Sequence, residues 1–164
     1  MEIDCLIEDP AWEALDVEAL ARRVCAATLD ELGLQAESFG ISLLACDDGR
    51  IAELNAEFRG KPAPTNVLSW PSELHQPDPG RMPDLPDPAL GDPPHELGDI
   101  AIAYGVCLAE AEAQKKSFAD HVAHLLVHGT LHLLGFDHIN DADAILMEDL
   151  ETRILARLGI PDPY

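Results

Sequence analysis

The sequence predicts an α+β fold, a small mixed sheet of about four strands with about five helices packed on it. Short apolar runs and helical periods take turns over the first seventy residues or so, a proline-crowded stretch follows, and from residue 106 onward the patterns are helical. At 164 residues the chain is most simply one domain, 1–164, large enough to bury its own core.

Residues 2–8 alternate apolar and polar through Ile3, Cys5 and Ile7, which reads as a strand. Asp16 is placed to cap a helix through Val17, Leu20, Val24 and Leu32, with Gly33 as its stop. Ile41 to Cys46 is a short apolar strand, and Asp47-Asp48-Gly49 turns into a helix bearing Ile51, Leu54 and Phe58. Strand, helix and strand in that order imply a parallel pair with a right-handed crossover. Val67 to Trp70 and Asp99 to Tyr104 supply two more strands. Between them lies a Pro-rich loop at about 71–97, with eight of the 13 prolines at 71–94, expected to be exposed and mobile. His75 and His95, in or beside it, read as solvent-exposed. Helices are expected over Val106–Lys116, over about Phe118–Leu134, and from a cap at Asn140 or Asp141 to Leu158.

The run His128-Gly-Thr-Leu-His132-Leu-Leu-Gly135-Phe-Asp-His138 holds the chemistry. At ~3.6 residues per turn, His128 and His132 project from one helix face with side chains roughly 5–6 Å apart. Gly135 can end that helix in a left-handed turn that swings His138 back as a third ligand. A chance i, i+4 histidine pair is common in a chain with seven histidines. A third at i+10 behind a helix-breaking glycine is not, and it reproduces the metzincin spacing H-E-x-x-H-x-x-G-x-x-H. Three imidazole nitrogens leave the fourth position of a tetrahedral Zn²⁺ open, the arrangement of a catalytic site. Gly129 stands where those proteases carry their general-base Glu, which weakens a peptidase reading. His121 and His124 share the stripe of His128 but lie too far along a straight helix for all three to hold one ion; they read as surface residues or as neighbours of the ligands.

The segment Leu125 to His138 closely resembles the zinc motif of the YbeY-type endoribonucleases, bacterial ribosomal-RNA maturation factors. Four further stretches resemble that family in the same order. They are Phe58-Arg59-Gly60-Lys61 leading into Pro64-Thr65-Asn66-Val67-Leu68-Ser69-Trp70-Pro71, then Leu97-Gly98-Asp99-Ile100-Ala101-Ile102, Met147-Glu148-Asp149-Leu150-Glu151, and Leu158 to Tyr164. The likeness runs from about residue 40 onward, with Trp70 and Phe136 where the family more often has Phe and Tyr. It implies one Zn²⁺ per chain on His128, His132 and His138, and a fold like that of metzincins around the metal helix. It also implies a single-strand-specific endoribonuclease acting on ribosomal-RNA precursor, especially the 3′ end of the small-subunit RNA. The small ribosomal subunit and its proteins are the implied partners, with a role in late ribosome assembly or quality control.

Arg59 has a planar fork suited to two phosphate oxygens and keeps its charge throughout the working pH range; on residue chemistry alone it is equally a surface residue at a helix end. The resemblance makes it catalytic or substrate-binding. Lys61 is a weaker phosphate candidate. Thr65, Asn66 and Ser69 serve either the turn and strand start or the cleft. Asp137 either orients an imidazole or caps its turn. Met147 reads as core packing, and Glu96, Asp99 and Glu148 form the pool of candidate proton acceptors.

A formal charge of −21 argues against a nucleic-acid role, since phosphate backbones are held chiefly by Lys and Arg. Its distribution softens this, because Arg50, Arg59 and Lys61 cluster, and Lys115 and Lys116 precede the metal helix. No stretch is apolar enough to span a bilayer, and the acidic N-terminus lacks the features of a secretory signal. Cys5, Cys25, Cys46 and Cys107 form no C-x-x-C pair, as expected of reduced thiols in a cytoplasmic protein. Two rival classes share the ligand spacing: a zincin-like metallopeptidase, and a non-catalytic ribosome-assembly factor in which metal only holds the fold.

Overall fold

Glu2–Ile7 forms β1 and Phe39–Cys46 forms β2, paired in parallel with Ile3 opposite Ile41. The computed structural model describes residues 1–73, 77–86 and 94–164. The crossover between the two strands is α1, Val17–Glu31, whose Asp16 cap accepts the amide of Ala19 at 3.2 Å. Gly33 leaves the helix at φ 77°, in the left-handed region where glycine carries no Cβ penalty.

The segment Pro10–Ala14, absent from the sequence reading, is a 3₁₀ turn capped by Asp9. It buries Trp12 completely, with Nε1–H donating to Cys46 O at 2.9 Å and the ring edge-on to Tyr104. A lone Trp in a polar stretch gives no periodicity to read, yet it anchors the start of α1 under the sheet.

After β2 comes α2, Asp48–Arg59, capped by Asp47 through Arg50 N at 2.7 Å and stopped by Gly60 at φ 69°. The helix begins at once, without the separate turn the sequence suggested. Val67–Pro71 is β3 and His95–Ala103 is β4. Strand order is β1-β2-β4-β3, with β4 parallel to β2 and antiparallel to the edge strand β3. Proline can close β3 because an edge strand need not use every amide.

The Pro-rich loop expected at 71–97 is therefore shorter at both ends. Pro71 pairs with Gly98, and β4 starts at His95 because Leu97, 4% exposed, is drawn into the core. His95 is half-buried rather than free in solvent, its ring edge-on to Phe39. His75 lies outside the described residues.

Three helices complete the chain: α3 at Tyr104–Ala113, α4 at Phe118–Leu133 and α5 at Asp141–Arg157. Strand side chains alternate between two apolar layers. Ile3, Ile41, Leu43, Ile100 and Ile102 meet α1, α4 and α5 in the main core. Cys46, Leu68, Ala101 and Ala103 meet Ile51 and Leu54 of α2 on the other face. All four cysteines are free, and three of them are buried. No helix among the described residues is long and apolar enough to cross a membrane.

Candidate metal centre

Ser117 caps α4 by accepting Asp120 N at 3.1 Å, and Asp120 adds negative charge where the helix dipole favours it. Val122, Leu126, Val127 and Leu131 bury the opposite side of the helix, which fixes its rotation and turns His128 and His132 outward together. After Leu133 the chain reverses at Gly135, φ 103°. Phe136 N then reaches back to Leu131 O at 3.0 Å, and the Phe136 ring, 3% exposed, pins the turn. His138 follows, its amide donating to Asp137 Oδ1 at 2.7 Å, so Asp137 caps its own turn.

One ring nitrogen from each of His128, His132 and His138 lies within 4.8 Å of the others. His128 Nδ1 stands 2.6 Å from Glu151 Oε1. A carboxylate only accepts, so Nδ1 carries the proton and Nε2 is left with a free lone pair. That Nε2 is 3.0 Å from His132 Nε2. Burial, then the neighbouring His128 and His138 rings, push the pKa of His132 down to about 4 against the pull of Asp137, so the ring is neutral at neutral pH. Imidazoles converging on one point are the donor set a borderline divalent ion takes, and with no carboxylate or thiolate among the three the set fits such an ion.

The three histidines share a cleft of about 310 Å³ with Arg59, Thr65, Asn66 and Ser69. A second hollow shares Arg59, Ser69, His132 and His138 with it and continues past Phe136 to Ile139. Arg59 therefore sits where two halves of one groove meet. It is exposed at the last residue of α2, and among the described residues it has no ion pair. Asn66 serves both the strand start and the cleft: its Oδ1 accepts Val67 N at 2.6 Å, while its Nδ2 donates to Glu110.

The basic rim expected from the sequence is thinner in the fold. Arg50 is taken up by Glu8 at 3.4 Å and Glu53 at 3.2 Å, and Lys116 Nζ donates to Pro163 O at 3.0 Å. Lys61, Lys115 and Lys116 do not line the cleft. Nor do Glu96, Asp99 and Glu148, the acids considered as proton acceptors. Asp99 faces a separate groove beside Asp4 and Phe58, and Glu148 is exposed on α5.

His121 and His124 are not surface residues. His121 is 3% exposed, its Nε2 2.9 Å from Glu110 Oε1, and His124 Nε2 is 3.1 Å from Glu151 Oε2. The sequence reading passed over Glu151 and Tyr164 as site residues. Glu151 is 0% exposed on the apolar stripe of α5, between Leu150 and Ile154, and the Tyr164 hydroxyl donates to its Oε2. A carboxylate in phase with Met147, Leu150 and Ile154 was the available signal: it must be buried, and a buried charge needs donors. Burial pushes that carboxyl up, but the hydrogen bonds from His124, His128 and Tyr164 outweigh it and hold its pKa at about 2.

Gly129 leaves the position next to the first histidine without a carboxylate. A Cβ there would stand 3.2 Å from Ile100 Cδ1, because α4 lies directly on β4 at this point. Gly129 also lines the cleft of the three histidines, so the site presents no carboxylate where a protease carries its general base.

A family model described as Endoribonuclease YbeY matches residues 2–159. A protein of that name from Jannaschia sp. (strain CCS1) is 60% identical over 165 residues, covering 100% of each chain. Another, from Dinoroseobacter shibae, is 60% identical over 164 residues, covering 99% of this chain and 90% of that one. A third, from Paracoccus denitrificans, is 56% identical and covers 99% of this chain and 89% of its own. A solution structure of a Thermotoga maritima protein superposes with a TM-score of 0.54 at 20% identity, covering 96% of this chain and 91% of that one, a likeness of fold.

Proposed function

The chain belongs to the YbeY endoribonuclease family, and on that premise we propose that it cuts single-stranded ribosomal-RNA precursor in the groove where Arg59 meets three histidines. It is an enzyme of phosphodiester bonds. The observation that carries the finer reading is the meeting of an uncommitted guanidinium and three converging imidazoles in one cleft.

His128, His132 and His138 hold the metal, which we assign as one Zn²⁺ per chain. When bound, such an ion supplies Lewis-acid polarisation of an oxygen at the scissile phosphate or of the attacking group. Arg59 offers its planar fork to two phosphate oxygens and offsets the charge that develops as the bond breaks. The groove running past Arg59 on both sides suits an extended strand better than a duplex, whose width would keep its backbone from the cleft floor. Ser69 and Thr65 border the same path with hydroxyls that can bond sugar or phosphate.

The family premise supports the 3′ end of the small-subunit RNA as target, with that subunit as partner and the cytoplasm as the place. The proposal takes residues 1–164 as one domain, since α1, α4 and α5 share a single core on one sheet. A peptidase is not favoured, because position 129 is a glycine and carries no general-base carboxylate.

To test this, metal-loaded protein is incubated with ribosomal-RNA precursor beside His132→Ala and Arg59→Ala variants. Cleavage by wild type and its loss in both folded variants supports the reading, and cleavage persisting in both overturns it. The product ends report the attacking group: attack by the 2′-hydroxyl leaves a cyclic phosphate, attack by water does not.

A further inference from the structure

We propose that Glu151 is a positioning residue of the metal centre: its buried carboxylate fixes the tautomer and orientation of His128, while His124 and Tyr164 hold the carboxylate in place. The proposal rests on the reading of His128 as a ligand.

Glu151 is fully buried on the inner face of α5, and among the described residues none of its hydrogen-bond partners is a lysine or arginine. Its two oxygens divide their work. Oε1 accepts from His128 Nδ1 at 2.6 Å, and Oε2 accepts from His124 Nε2 at 3.1 Å and from the Tyr164 hydroxyl. A buried carboxylate is tolerated only with donors on both sides, so each donor constrains where Oε1 stands. His124 Nδ1 is buried with no hydrogen-bond partner among the described residues. A carboxylate only accepts, so the other ring nitrogen, Nε2, carries the proton that faces Glu151. The ring gives up one hydrogen bond to serve the carboxylate.

Tyr164 reaches the carboxylate because the segment after α5 folds back. Lys116 Nζ holds Pro163 O at 3.0 Å, Tyr164 N donates to Asp162 Oδ1 at 2.9 Å, and the phenol ring stands edge-on to His124 with centroids 5.6 Å apart. The consequence falls on His128. With Nδ1 obliged to carry a proton toward Oε1, Nε2 presents its lone pair toward His132 Nε2 before any ion arrives. A carboxylate behind an imidazole also makes the ring a stronger donor.

The test measures Zn²⁺ affinity by competition with a chromophoric chelator, and reads the His128 tautomer from long-range proton–nitrogen spectra of the metal-free protein. Glu151→Gln and Tyr164→Phe are compared with wild type and His132→Ala, with folding checked by circular dichroism. Glu151→Gln is expected to lose about 10–100-fold in affinity and the single Nδ1–H tautomer. Tyr164→Phe, which keeps the Oε1 contact, is expected to lose less. Affinity in Glu151→Gln indistinguishable from wild type, or a wild-type His128 protonated on Nε2, overturns the proposal. If Glu151→Gln does not fold, the wild-type tautomer decides, a proton on Nδ1 supporting the proposal and one on Nε2 overturning it. Zn²⁺ binding absent in wild type, or unchanged in His132→Ala, would instead sink the ligand reading, and the tautomer spectra would still judge Glu151.

Discussion

Gly129 lies against Ile100, where an added Cβ would approach the Ile100 Cδ1 atom to 3.2 Å. Restoring the protease pattern by Gly129→Glu therefore presses the first atom of the new side chain against Ile100 at the border of the cleft. We expect no peptidase activity and a loss of about 1–3 kcal/mol, the usual cost of overpacking a filled interior, measured by urea unfolding. Metal-dependent cleavage of a peptide library by this variant would overturn that expectation.

Arg59 is exposed and unpaired among the described residues, so its removal should be felt in chemistry and not in stability. Arg59→Ala is expected to unfold within about 0.5 kcal/mol of wild type. Its single-turnover cleavage is expected to fall by about 10²–10³-fold, the scale for losing one well-placed charge-stabilising donor. Arg59→Lys keeps the charge but not the fork and should recover only part of the rate.

Two groups make the metal-free protein sensitive to acid. The pKa of His132 is lowered from 6.5 to about 4, so its share of stability is whole above pH 6.5 and is lost as pH falls toward 4, where the unfolded chain takes the proton first. The pKa of Glu151 is lowered from 4.5 to about 2, so its share is whole above pH 4.5 and is lost between there and pH 2. Chelator-treated protein should lose a few kcal/mol in all on going from pH 7 to pH 3, read from urea midpoints. Glu151→Gln should flatten the lower part of that curve and leave the upper part. A curve flat from pH 7 to pH 4 would contradict the His132 assignment.

With Arg50 and Lys116 engaged elsewhere, few cations face the groove. Binding of single-stranded RNA should weaken with salt along a shallow slope of roughly two to three on a log–log plot, for about three or four neutralised phosphates. A slope implying eight or more phosphates would require a basic surface that the cleft does not have.

The sequence made much of this legible because its strongest signals are local. Asp16 and Asn140 announce their helices by capping chemistry, and each does cap, whereas Asp47, read as part of a turn, caps α2 directly. The histidine spacing and Gly135 specify a helix, a stop and a return within a few residues, and the fold brings the three rings together. What was missed depends on contacts between distant segments. Trp12 is fixed by Cys46 O, thirty-four positions away, and Glu151 meets His128 from another helix, twenty-three positions away. The basic cluster looked free in one dimension because Glu8, which engages Arg50, comes from the end of β1. The Pro-rich loop was drawn too long because Leu97 gains more from the core than its neighbours gain from solvent.

X-ray absorption at the zinc edge of the loaded protein tests the central claim most directly. The account expects one ion per chain with three imidazole nitrogens at ~2.0–2.1 Å and one further oxygen from solvent. Signal from sulfur, from a fourth imidazole or from a stoichiometry well below one per chain would contradict it.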